Sequence, residues 1–198
     1  MTQRLKLEPS PISQTRVDDV FSPVCECASQ AANIEFSLRK SDRLRLAIRI
    51  DSKEVTIADG SFRSGLVHAR WNGRNASGTV VPDGVYYPVV HLQRADRTID
   101  LPNPIRVDTR PPTIAVTGLR SNGPRVTVAY RVSEPAHALL IVDGRRALFT
   151  YSTRRRGHFS WHGHVNGRLV RPRHHHLVLV AEDLAGNRSA PTPLRRKK

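Results

Sequence analysis

Apolar and polar residues alternate along most of this 198-residue chain. Ile34, Phe36 and Leu38 share one parity, and so do Leu44, Leu46, Ile48 and Ile50, then Val67, Ala69 and Trp71. Side chains two apart on a strand point to the same face, so each stretch reads as a strand with one face in a core. Val85 to Leu92 follows Pro82-Asp83-Gly84, a turn in which proline presets φ, aspartate bonds local amides and glycine accepts positive φ. The pattern resumes past residue 110 with Ile114 and Val116, then Val126, Val128 and Tyr130, the apolar run Ala138 to Val142, the Asp143-Gly144 turn, and Leu177 to Ala181. Asp183-Leu184-Ala185-Gly186-Asn187 closes the last of these, with Gly186 and Asn187 tolerant of left-handed backbone. No sustained apolar run at helical spacing interrupts the series, which predicts an all-β chain of short strands.

The pattern occurs twice. Trp71-Asn72-Gly73 and Trp161-His162-Gly163 lie 90 residues apart, and each leads through a glycine (Gly78, Gly167) and a proline (Pro82, Pro172) into an alternating strand. A period of that length marks a domain rather than a solenoid unit. Two copies in this length leave each near the ~100 residues of a seven-stranded sandwich. Pro111-Pro112 holds the chain extended and offers no ladder donors, so the boundary is placed there. The expected organisation is a tether over residues 1–16, rich in proline and serine (Pro9, Ser10, Pro11, Ser13), a first domain over 17–110, a second over 111–194, and a basic tail, 195–198. Each tryptophan is expected in its own core, where an indole buries roughly 150–250 Å².

Several fragments resemble the bacterial Ig-like modules of the flagellar hook-capping (FlgD) and Vpr type. Phe21-Ser22-Pro23 is similar to their opening. Trp71-Asn72-Gly73-Arg74 with Gly78 and Val81-Pro82-Asp83-Gly84-Val85-Tyr86 resembles their central signature, and Val107-Asp108-Thr109 resembles an interdomain tag. Asp183 to Asn187 is similar to the Asp-x-Ala-Gly-Asn closing turn of many bacterial Ig-like domains. The second copy keeps Trp161 and Gly163 but has Pro172-Arg173-His174-His175-His176 where the family turns on Pro-Asp-Gly, and Val24-Cys25-Glu26-Cys27 replaces the family's Asp-rich loop. The resemblance implies two tandem immunoglobulin-like (fibronectin III-like) β-sandwich domains. It also implies an extracytoplasmic setting, at the cell surface, secreted or membrane-anchored. The chain as given shows neither a signal peptide nor an apolar run of ~18–20 residues.

Charge adds a candidate chemistry. Lys+Arg number 32 against 17 Asp+Glu, giving +15, and nearly all the basic residues are arginine. Arg154-Arg155-Arg156 falls in an expected loop and Arg195-Arg196-Lys197-Lys198 at the terminus, clusters that bind polyanions by counterion release. An anionic polymer (cell wall or lipid headgroups) or a protein is therefore the expected partner. Nucleic acid is the alternative, lacking interleaved aromatics and a recognition helix, and a hook-capping-related scaffold the second.

The thiols Cys25 and Cys27 would stand ~6.5 Å apart on a regular strand, so a disulfide requires a bent backbone. Two free thiols suit a reducing compartment instead. His158, His162, His164 and His174 to His176 suggest metal ligation, yet no carboxylate or cysteine lies among them to complete a familiar site, and neither metal nor cofactor is assigned. No nucleophile elbow, phosphate loop or dinucleotide fingerprint is present, and Asp51, Asp59, Asp83, Asp143 and Asp183 have ordinary turn roles. A non-catalytic binding or spacer module is the expectation.

Overall fold

A computed structural model describes residues 9–195. The chain is all-β and divides into two compact units, the first running to Asp108 and the second from Thr109, with the loop Val24–Cys27 standing outside the first.

The first unit contains β1 (Ile12–Val17), β2 (Val20–Phe21), β3 (Ala32–Leu38), β4 (Asp42–Ile50), β5 (Lys53–Phe62), β6 (Gly65–Trp71), β7 (Gly84–Leu92), β8 (Arg97–Asp100) and β9 (Ile105–Val107). One sheet is ordered β1-β3-β6, the other β2-β9-β7-β4-β5. The β2–β9 pair is parallel and the others are antiparallel. Strand β8 lies on the same edge of β7 as β9, pairing with Val89–Leu92 while β9 pairs with Gly84–Tyr86. Pro102 and Pro104 separate the two, since neither can donate to the ladder. The alternating residues Ile34, Phe36, Leu44, Leu46, Ile48 and Val90 fill the core.

The second unit contains β10 (Ile114–Asn122), β11 (Arg125–Val132), β12 (Ala136–Val142), β13 (Arg145–Phe149), β14 (Arg156–Trp161), β15 (His164–Val165), β16 (Arg168–Leu169), β17 (Leu177–Asp183) and β18 (Thr192–Pro193), with one 3-10 turn at Pro172–His174. Its sheets are β10-β11-β14 and β13-β12-β17-β18, with β15–β16 a small hairpin. Val126, Val128, Tyr130, Leu140 and Leu179 form its core.

The sequence repeat is a structural repeat. Trp71 ends β6 and pairs with Ala32, while Trp161 ends β14 and pairs with Val126. Both indoles are buried, and each Nε1–H donates to the carbonyl three residues on, Arg74 at 3.1 Å and His164 at 3.0 Å. Each following glycine has positive φ, +71° at Gly73 and +79° at Gly163. Its carbonyl accepts from Val81 N–H at 2.9 Å in the first unit and from Val170 N–H at 2.7 Å in the second. A Cβ at Gly73 would stand 2.9 Å from the Pro23 ring, and one at Gly163 would stand 2.8 Å from that of Pro124. Only glycine fits both the backbone and the space.

Three expectations are corrected. The tether assigned to residues 1–16 ends earlier, because Ile12–Val17 is the edge strand β1, antiparallel to β3. Ile12 and Val17 are both buried despite opposite parity, because the register slips between Ser13 and Arg16, with Gln14 at φ +52°. Such a bulge shifts the alternation by one residue and hides the strand from a period-two reading. Gly84, expected at positive φ, instead enters β7 as an ordinary strand residue. Arg156, expected in a loop with Arg154 and Arg155, is the first residue of β14.

Candidate polyanion-binding face

The inward side of β11 is set by Val126, Val128, Tyr130 and Val132, all buried. Their alternates Arg125, Thr127, Ala129 and Arg131 must therefore face out. Register carries this outward row across the sheet. Arg131 stands opposite Arg156, Ala129 opposite His158 and Thr127 opposite Ser160 on β14. On the other side Arg131 meets Ala115, Ala129 meets Gly118, Thr127 meets Arg120 and Arg125 meets Asn122 on β10. These outward positions hold four arginines, Arg120, Arg125, Arg131 and Arg156, one histidine and no acid. The four guanidinium side chains belong to exposed residues, as do His158 and the neighbouring Arg154 and Arg155.

The arginines are concentrated at the two ends of a smooth strip. Between them lie Thr117, Gly118, Thr127, Ala129 and Ser160, with Thr127 and Ser160 hydroxyls 3.0 Å apart and Arg125 Nη2 donating to Ser160 at 3.3 Å. At one end Arg131 and Arg156 form a cross-strand pair of like charge, which is destabilising when left without a counter-charge. Two shallow depressions flank this pair along the strand direction, and both arginines line both of them. Gly157 sits across from Tyr130, where a Cβ would stand 2.5 Å from the Tyr130 hydroxyl, so the buried ring occupies the space a side chain would need.

The first unit provides an internal comparison. With Trp71 aligned to Trp161, Asp18, Glu35, Ser37 and Leu66 occupy the places of Arg120, Ala129, Arg131 and Arg156. There Glu35 lies 4.0 Å from both Arg16 and His68, and Asp18 accepts from the backbone and side-chain nitrogens of Asn33, each at 2.8 Å. The first unit's face thus carries two acids beside two arginines, Arg16 and Arg70. Its other sheet is similarly paired, with Arg45 3.0 Å and His91 2.8 Å from the Glu54 carboxylate and Arg49 2.8 Å from Asp100.

The other predicted residues serve structure. Cys25 and Cys27 are joined, with Cα atoms 5.2 Å apart, and Glu26 between them supplies the bend at φ +50°. Pro82 accepts from the Tyr86 hydroxyl at 2.7 Å, and Asp83 and Gly84 lead into β7 beside it. Asp183 accepts from Asn187 N–H at 2.8 Å and from its side-chain amide at 2.9 Å, closing the turn over Gly186 at φ +94°. His175 is engaged by an acid. Its Nδ1 lies 2.5 Å from Asp143, which also accepts from His176 N–H at 2.8 Å. The His175 hydrogen bond, then that of His176, holds the Asp143 carboxyl below its ordinary value. Among the described residues no group of three or more His, Cys, Asp or Glu could hold a metal ion. Arg195 is exposed, and Arg196, Lys197 and Lys198 lie outside the described residues, as do residues 1–8 of the 1–16 segment.

Of the predicted cationic residues, Arg156 belongs to this face and Arg155 lines the depression beside it, while Arg154 is exposed in the preceding loop. Arg120, Arg125 and Arg131 were missed, and only cross-strand register reveals that they join the face. Among the described residues no helix is long and apolar enough to cross a membrane.

No family model matches the chain, and no curated protein does. Among solved structures, it is similar to a 1.5-MDa bacterial ice-binding adhesin at 15% identity and TM-score 0.36, covering 93% of this chain and 66% of that one. It is similar to the YadV chaperone at 10% identity and TM-score 0.29, covering 93% and 100%. The complex of the CsuC chaperone with the CsuE tip adhesion subunit from Acinetobacter baumannii pili gives 10% identity and TM-score 0.29, covering 91% and 98%. Likenesses at this level bear on neither partner nor activity.

Proposed function

We propose that this chain is a non-catalytic binding and spacer module of two tandem immunoglobulin-like domains, of the hook-capping and Vpr type, held outside the bacterial cytoplasm and contacting an anionic polymer. The immunoglobulin-like reading is supported by strand order. In each unit the first, second and fifth long strands make one sheet, and the third, fourth and later strands make the other. The parallel β2–β9 edge of the first unit is a further feature of that architecture. The observation that carries the function is the outer face of β10–β11–β14, with four arginines and no acid where the first unit has two of each. Anion binding to such a face is dominated by counterion release, so it weakens steeply with salt. In this reading the first unit, with Arg16, Arg43, Arg45, Arg49 and Arg106 beside carboxylates, acts as the spacer.

A nucleic-acid partner is the second reading, favoured by Tyr151, 92% exposed and three residues before Arg154. Base stacking on exposed aromatics is how single strands are held without sequence preference. Retention of the full chain on an anionic wall-type polymer and on duplex and single-stranded DNA, compared across a salt series, separates the two. Tighter retention by the polymer supports the module reading. Tighter retention by DNA, or none by either, refutes it.

A further inference from the structure

The second unit's cationic face has a shape as well as a sign. The Arg131–Arg156 rung joins facing strands, so its two guanidinium groups approach the space above the sheet from opposite sides, with Cα atoms near ~5 Å apart as in any antiparallel pair. The depression on one side of the rung is lined by Thr117, Ala129 and His158, and the one on the other by Thr113, Ala115, Ser133 and Arg155. Along β11 the depressions are lined by residues 129–131 and 131–133, so they are centred on positions two residues, or roughly 7 Å, apart in the strand direction. The site therefore offers a hollow with Thr117, Ala129 and His158, a two-sided cationic clamp, and a second hollow with Thr113, Ala115, Ser133 and Arg155, in one line.

We propose that this strip binds a linear phosphodiester polymer with small polyol repeat units, one phosphate between Arg131 and Arg156 and the flanking polyols in the two hollows. The inference rests on the anionic-partner reading above and narrows it to one chemistry. A phosphodiester carries its two free oxygens in a plane perpendicular to its chain. With the polymer running along the strands, those oxygens point across them, one toward each arginine. Arginine forks suit phosphate oxygens, and desolvation of the guanidinium is less costly than that of an ammonium. A carboxylate can bridge two arginines, but in a polyuronate it is a side group and not a link of the chain, so seating it on the rung does not bring both neighbouring units into line with the hollows. Phe, Tyr and Trp are lacking at the outward positions of the three strands, which leaves bases only the His158 ring to stack on there. Duplex DNA is too broad a cylinder to set the neighbours of one phosphate into both hollows.

The first unit supplies the substitutions for the test, since Glu35, Ser37 and Leu66 already occupy the equivalent places in a folded domain. Ala129→Glu, Arg131→Ser and Arg156→Leu are made in the full chain, with Arg168→Ala, exposed on β16 away from the rung, as a control of equal charge loss. Binding of synthetic poly(glycerol phosphate), of polygalacturonate matched in charge, and of duplex DNA is measured by calorimetry across a salt series. The expected result is at least about tenfold preference for poly(glycerol phosphate), lost about tenfold in each of the three rung variants and by less than about twofold in Arg168→Ala. Each arginine variant should also lower the salt slope by about 0.7. Equal binding of the two polymers, with the rung variants still weakened, overturns the phosphodiester assignment and leaves the anionic-partner reading standing. A control that loses as much as the rung variants overturns the site. Preference for DNA, or no polyanion binding by the unsubstituted chain, overturns both readings. Thermal unfolding of each variant establishes that it is folded, and adding an acid and removing an arginine are independent perturbations of the same rung.

Discussion

Replacing Trp71 with alanine should cost more than the same change at Trp161, although the two residues hold the same place in their units. Both indoles are buried to within 3% of full burial and both donate through Nε1 to the residue three positions on. Large-to-small changes at such sites cost about 3–5 kcal/mol, a large share of a domain stability of about 5–15 kcal/mol. The units differ in what surrounds the ring. Phe21 and Tyr86 contact Trp71 edge-on, with centroids 5.5 and 5.2 Å away, whereas among the described residues no aromatic ring is paired with Trp161. Each such pair is worth about 0.5–1.5 kcal/mol beyond burial, so Trp71→Ala should exceed Trp161→Ala by about 1–3 kcal/mol. Hydrogen exchange with mass spectrometry over a urea series resolves the units, reading β3 and β7 for the first and β11 and β17 for the second. Equal losses would refute the weight placed on the ring pairs, and an undisturbed β3 and β7 in Trp71→Ala would refute the core role itself.

Gly163→Ala should destabilise the second unit by about 2–4 kcal/mol, from a left-handed backbone position and a Cβ placed 2.8 Å from Pro124 Cβ and 2.9 Å from its carbonyl oxygen. Chemical denaturation of the variant checks it, and a loss below about 1 kcal/mol would mean the turn relaxes freely. Asp143 gives a pH dependence. Its carboxyl is held below its ordinary value in the folded chain, so its contribution is present above the ordinary carboxylate range and is lost as pH falls through the lower folded value. Wild type should therefore lose its advantage over Asp143→Asn only in acid, below about pH 4, and a constant difference down to strong acid, followed by thermal unfolding, would sink the account.

The alternating stretches were legible because period two is a direct consequence of strand geometry, and Ile34 to Leu38, Leu44 to Ile50 and Val126 to Tyr130 are strands with the predicted inward faces. The Trp-x-Gly repeat was legible because the turn that follows requires glycine at a left-handed position. Strand β1 was not, since its bulge breaks the period and its prolines and serines look like a tether. Strand β5 was missed because Lys53–Phe62 lies at a sheet edge and buries no continuous face. The cationic face was half legible. Arg154 to Arg156 are adjacent in sequence, but Arg131 reaches Arg156 only through a register between residues 25 apart. Alternation says that Arg125 and Arg131 face out, and it cannot say what lies across from them.

A general excess of arginine explains the charge of the chain but not its placement. Such an excess would add cations at exposed positions in both units without regard to register. The equivalent faces instead differ in both directions. Arg16 and Arg70 of the first unit stand where the second has Gly118 and Ser160, while Ser37 and Leu66 stand where it has Arg131 and Arg156. The second unit thus lacks arginine at two places where the first has it, and carries it at a rung where two guanidinium groups oppose each other. That rung is unfavourable for folding alone, and the acid that would relieve it, Glu35 in the first unit, is Ala129 in the second. Both units keep the same buried tryptophan, the same glycine turn and the same strand order, so the shared scaffold does not demand the difference. An arrangement that costs the isolated fold is offset when an anion occupies the rung, and the proposed binding role accounts for it in this way: the missing counter-charge arrives with the ligand.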